Sequence, residues 1–179
     1  MSAEPFFVAL QARFAGEAER LNALDAAVGD GDHGATMLRG LTKALAAENG
    51  TRAKAFMRAS GGASGTLFGL ILLEIEAHLD AGAPLPEGLD RACARIRDLG
   101  DVAPGDKSMV DALAPAIAAL GHGDLNDAVL AARTGRDGTK ALRARRGRAQ
   151  YVEDGGQGHV DPGAVSVVIF LETLQEVSP

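Results

Sequence analysis

The residues best suited to chemistry lie in Leu24-Asp25-Ala26-Ala27-Val28-Gly29-Asp30-Gly31-Asp32-His33-Gly34, where three carboxylates fall within eight residues. No Lys or Arg occurs between Arg20 and Arg39, so these anions repel one another unless a cation arrives from elsewhere. A hard divalent ion such as Mg²⁺ suits an all-oxygen set and keeps room for water or phosphate. The glycines let the backbone fold tightly enough to bring the three acids together. The bland alternative is a solvated acidic turn. Two familiar motifs fail here. Gly29, Gly31 and Gly34 match Gly-x-Gly-x-x-Gly, but the run follows a helical stretch rather than a strand, which removes the dinucleotide reading. An EF-hand counted from Asp30 needs ligands where this chain has Gly34 and Leu41.

Two further segments carry more than a connection requires. Ser60-Gly61-Gly62-Ala63-Ser64-Gly65-Thr66 precedes an apolar helix, and a glycine-rich turn feeding a helix N-terminus offers N–H groups and a positive dipole end to an anion. It is no Walker A loop, because no lysine follows Gly65. Close helix packing through small residues explains it equally well. The third segment runs from Gly147-Arg148 to Gly158-His159-Val160-Asp161-Pro162-Gly163. It is long for a helical domain, and long ordered loops are usually functional. The Arg148 fork is suited to phosphate. His33 and His159 are open between a phosphate contact and a structural role. Asp106 and Lys107 read as caps of the helix that follows, and Asp111 as a support rather than a ligand.

The elements that position these segments are helical. Aromatic residues make up 4% of the chain, with no Trp, and Ala and Leu dominate over the β-branched residues that sheets favour. Phe6, Phe7, Leu10, Phe14, Leu21 and Leu24 recur at helical spacing. A second pattern covers about Thr36–Ala47, and further helices read as roughly 51–60, 65–81, 86–99, 107–120, 124–145 and 162–177. Val165–Leu171 is strand-like by composition, yet Asp161-Pro162 supplies an N-cap followed by proline at the first helical position. The expectation is all-α, with about eight helices joined by short connections and neighbours antiparallel.

The 179 residues suit a single domain spanning 1–179. The one cysteine, Cys93, cannot form an internal disulfide and reads as a small buried residue in a reducing compartment. The N-terminus has no basic start before its short apolar run, so a signal peptide is not expected. Ala59–Leu73, the longest uncharged apolar stretch, is too short for a membrane span. A cytoplasmic location follows. Arg133–Arg148 holds seven basic residues against one acidic in a chain of net charge −6. With Tyr151 the only aromatic beside that strip, nucleic acid is not an expected partner.

Taken in order, Asp25-x-x-Val-Gly-Asp30-Gly-Asp32-His33-Gly34, Gly62-Ala63-Ser64-Gly65, Gly105-Asp106-Lys107-Ser108-Met109-Val110-Asp111, Gly147-Arg148-Ala149 and Gly158-His159-Val160-Asp161-Pro162-Gly163 resemble the nucleotide-binding L subunit or domain of dihydroxyacetone kinases over nearly the whole chain. The resemblance implies an eight-helix antiparallel barrel with the nucleotide at one end. It implies ADP or ATP and a pair of Mg²⁺ ions held by Asp25, Asp30 and Asp32. His33, Gly34, Ala35, Thr36, Ala63 and Ser64 would lie around the phosphates and sugar, with donors from the helix N-termini after Gly34 and Gly65. Gly100, Met109, Arg148, Asp161, Pro162 and Gly163 would complete the pocket. The ketose would sit on a separate K subunit. Phosphate would come either from a phosphocarrier M subunit of the phosphotransferase system or from freely exchanging ATP, and the ketose could be dihydroxyacetone or erythrulose. A homodimer is compatible with the family. The reading from another class is a non-catalytic nucleotide-sensing module.

Overall fold

The computed structural model describes residues 2–178. Eight α-helices account for the architecture of the described residues: α1 (Glu4–Ala26), α2 (His33–Leu45), α3 (Arg52–Ser60), α4 (Gly62–Ala81), α5 (Leu85–Gly100), α6 (Val110–Leu120), α7 (Leu125–Gly138) and α8 (Pro162–Val177). Each packs on its neighbour in the chain, and α8 returns to α1, so the ring closes into a barrel. One apolar cluster fills it, drawing Phe6 and Phe14 from α1, Met37 from α2, Phe56 from α3, Phe68 from α4, Leu89 from α5, Leu113 from α6 and Phe170 from α8. Phe170 meets Phe14 and Phe68 edge-on at centroid distances of 5.9 and 5.8 Å, the arrangement that ring quadrupoles favour. No helix among the described residues is long and apolar enough to cross a membrane.

Up-and-down order decides which ends meet. The C-terminal ends of α1, α3 and α5 and the N-terminal ends of α2, α4, α6 and α8 share one rim. Two close approaches set that rim. A Cβ on Gly34 would overlap the Ala18 carbonyl of α1, and one on Gly40 would overlap Ser60 and the Phe56 ring of α3. Glycine is therefore required where α2 touches both neighbours.

Helix boundaries depart from the sequence expectation at four places. α2 starts at His33 and α4 at Gly62, each a few residues early. α6 begins at Val110 rather than 107, because Gly105 and Lys107 adopt positive φ (91° and 66°) and break the helix. The helix expected over 124–145 ends at Gly138, although Ala, Leu, Lys and Arg beyond it are good helix formers. Thr139 stops it: its hydroxyl donates to the Arg136 carbonyl and accepts the amide of Asp161. Short 3₁₀ turns at Thr139–Ala141 and Arg148–Tyr151 follow, and then a turn at Glu153–Gly156 in which Asp154, Gly155 and Gly156 adopt positive φ. Val165–Leu171 is helical and buried on every side, which is why its pattern lacks a polar face.

Replacing Gly34 by Ala should therefore force α1 and α2 apart and cost about 1–3 kcal/mol. Urea unfolding followed by circular dichroism should show a lower midpoint with an unchanged helical spectrum before the transition.

Candidate functional site

The shared rim encloses a cavity of about 690 Å³, within the roughly 300–1,000 Å³ usual for small-molecule sites. Its wall includes Asp25, Asp30, Asp32, His33, Thr36, Ala63, Ser64, Gly100, Met109, Arg148, Asp161, Pro162 and Gly163. Residues from six segments of the chain thus meet in one place. Gly34 and Ala35 do not line it. Gly34 is pressed against α1, and the Ala35 amide donates to Asn22 Oδ1 at 3.0 Å.

The acidic corner is built by the last turn of α1. Asp25 Oδ2 accepts the amides of Asp32 (3.0 Å) and His33 (3.1 Å). Together Asn22 and Asp25, one turn apart on α1, cap the start of α2 from outside, where negative charge is favoured. The Asp32 carboxylate, at the N-cap position, makes no capping bond and is left for the cavity. Oxygens of Asp25, Asp30 and Asp32 lie within 4.8 Å of one another, a donor set suited to a hard divalent cation. In this structure the positive charge comes from Arg148, which pairs with Asp30 Oδ2 across the rim. The triad is thus met by a cation even in the protein alone, as three converging anions require.

The expected anion donors fall differently on the two helices. At α2 the amides of Asp32, His33 and Ala35 are already taken by side chains of α1. At α4 the donors precede Gly65: Gly61 and Gly62 turn with φ of 69° and 63°, and the amides of Gly62, Ala63 and Ser64 meet no protein acceptor. This terminus offers N–H groups to an anion in the cavity. Arg39, to which the sequence pattern assigns no site role, lies in the same wall and donates to the carbonyls of Ala59 (3.0 Å) and Ser60 (2.8 Å) at the end of α3. Its spacing from Asp32, two turns along α2, was the available signal.

His33 is buried, shares a 2.7 Å hydrogen bond with Ser166 on α8 and packs on Phe68. Burial lowers its pKa to about 4, with the Asp25 charge opposing the shift, so the ring is neutral at physiological pH. His159 is exposed, and its backbone carbonyl makes the contact described for Lys107 below. Asp106 and Lys107 do not cap α6. Asp111 caps that turn instead, accepting the Ser108 amide at 2.7 Å and the Gly105 amide. Asp106 accepts the amide of Ala103, and Lys107 is buried with its ammonium on the carbonyls of Thr139 and His159. Asp161 caps α8 through the amide of Ala164 at 2.8 Å, as its place before Pro162 predicts. Burial pushes its carboxyl up to about 7 despite that bond and the Lys107 charge.

A closed helical barrel thus gathers three carboxylates, open helix amides and an exposed arginine at one rim, donor types that suit a divalent cation and a phosphate. The family model for the DAK2 domain matches residues 27–176. The chain is 35% identical over 169 residues to the ADP-binding subunit DhaL of PEP-dependent dihydroxyacetone kinase 1 of Listeria innocua, covering 86% of this chain and 84% of that one. It is 30% identical over 190 residues to the corresponding Escherichia coli subunit, covering 90% and 89%. The fold matches the dihydroxyacetone kinase of C. freundii solved with AMP-PNP and Mg²⁺, with a TM-score of 0.76 and 26% identity. That match covers 98% of this chain and 34% of the larger one, so this chain spans about a third of it. The chain belongs to the DAK2-domain family, and the DhaL subunits are among its relatives.

The shifted Asp161 has a measurable consequence. The unfolded chain ionises this group near 3.8, whereas the fold keeps it protonated up to about 7, so raising the pH across that window removes stability. Asp161→Asn, which retains an acceptor for Ala164, should gain stability relative to wild type between pH 4 and 7, by on the order of 1 kcal/mol or more. Paired thermal melts at stepped pH would show the difference widening as pH rises.

Proposed function

We propose that this chain is the phosphoryl-transferring, ADP-binding subunit of a dihydroxyacetone kinase, acting as one domain over its whole length. It would present a nucleotide to dihydroxyacetone held on a separate K subunit, with phosphate supplied by a phosphocarrier M subunit. The observation that carries this reading is the convergence of Asp25, Asp30 and Asp32 beside the open amides of α4.

The donor set fits magnesium: three carboxylates, no sulfur or imidazole among them, and two of the three exposed. Bound there as a pair of ions, Mg²⁺ would neutralise phosphate oxygens during transfer. This chain's residues do the rest by positioning and charge, which is most of what phosphoryl transfer asks of a protein. Asp25 orders the turn that carries Asp30 and Asp32. The amides of Gly62, Ala63 and Ser64 would donate to phosphate oxygens, and the Arg148 guanidinium, which pairs with Asp30 at the rim, is placed to donate to them as well. Met109, Gly100 and Asp161 to Gly163 form the wall against which the nucleoside rests. Neutral His33 holds α2 to α8 without adding positive charge beside the metal corner. A cytoplasmic location agrees with the unpaired, buried thiol of Cys93.

The route of the phosphate divides two versions of this reading. The two relatives named above are PEP-dependent by name, and each match covers at least 84% of both chains, which favours the carrier route over free exchange of ATP. Mixing the chain with a K subunit, dihydroxyacetone or erythrulose, and either ATP or a phosphorylated carrier separates them. Product only with the carrier is the expected outcome. Product from ATP alone would favour exchange, and binding of ADP without product from either donor would favour a sensing module. Asp30→Ala should lower turnover by about three orders of magnitude or more while its circular dichroism stays that of wild type. Normal turnover by that folded variant would remove the metal assignment.

A further inference from the structure

Lys107 has no part in the chemistry above, yet it occupies a demanding position. Its side chain is 3% exposed, and its backbone φ is 66°, a left-handed conformation unusual for a residue with a Cβ. Burying an ammonium is unfavourable unless strong acceptors meet it, and burial does lower its pKa. The acceptors are two backbone carbonyls. Nζ donates to Thr139 at 2.6 Å and to His159. Thr139 is where the chain leaves α7, and His159 is where it comes back to α8. The intervening loop carries Arg148 to Asp30.

The rest of this neck is stitched by backbone and amide bonds: Gly158 donates to Lys140, Ala144 to Gly155, and Gln157 Nε2 to Ala141. The segment preceding α6 supports it further. The Arg145 amide donates to the Asp106 carbonyl, and Arg146 Nε donates to the Asp101 carbonyl at 2.7 Å. A side chain that merely filled space here would not need a charge. Nor does it cap α6, since an ammonium offers no acceptor to helix amides and its protons go to the carbonyls of Thr139 and His159.

We propose that Lys107 is a positioning residue of the nucleotide site, closing the neck of the 140–160 loop so that Arg148 stands over the acidic corner. The inference rests on the nucleotide reading above. A lysine in this place gives the loop a charged tie at its root, where both sides of the neck meet, and the Arg148 side chain extends from the far end of that loop to Asp30.

The test is a double-mutant cycle on the full chain, measuring ADP binding in the presence of Mg²⁺ by calorimetry for wild type, Lys107→Met, Arg148→Ala and the pair. Each single change should weaken ADP roughly tenfold, and the pair should be little weaker than either alone, because Lys107 acts through Arg148. Lys107→Arg should recover part of the loss. In limited trypsin digestion, Lys107→Met should be cut faster at the Arg143–Arg148 loop while the barrel survives. Wild-type affinity in Lys107→Met, or an equal cost of Arg148→Ala in both backgrounds, would overturn the assignment. Should Lys107→Met lack the helical spectrum of wild type, Lys107→Gln, which retains a donor, enters the same cycle with the same readings. Failure of wild type to bind ADP with Mg²⁺ would instead bring down the nucleotide reading, and this inference with it.

Discussion

Three carboxylates held within 4.8 Å of one another are a standing electrostatic debt, and the rim of this barrel is organised around that fact. Like charges so close repel strongly unless a cation intervenes. Two of the acids lie on the turn between α1 and α2, and the third, Asp25, holds that turn by accepting its amides. The same carboxylate thus builds the site and belongs to it. Arg148 supplies positive charge from the far side of the chain, so one loop and one helix turn are electrostatically coupled before any ligand arrives.

The barrel is what sets this corner apart from an ordinary acidic patch. Alternating helices bring four N-terminal ends to the same rim as the acids, so groups suited to phosphate lie beside groups suited to a metal. The termini are not equivalent. Those of α2 and α8 are capped by Asn22, Asp25 and Asp161, whereas α4 keeps its first amides open.

Much of the fold was legible from residue types. The stripe Phe6, Phe7, Leu10 and Phe14, the Asp161-Pro162 start and the Gly/Pro breaks place helices because each is a local signal, read within one or two turns. The boundaries around α6 and α7 were not legible. Lys107 and Thr139 end or delay helices through partners 22 to 52 residues away, and no window of neighbouring residues contains that information. Gly34 illustrates the same limit: by motif it belongs to the phosphate site, and in space it is the contact that lets α2 approach Ala18.

The chain's own order of residues determined an all-helical protein, the spacing of its acidic turn and the presence of a glycine-rich helix start, since these depend on side-chain type and short-range geometry. Only tertiary structure decided which amides stay open, which arginine answers the carboxylates, and what a lysine without an obvious task is tied to. Those outcomes depend on closure of the ring, where α8 meets α1 and distant segments first share a surface.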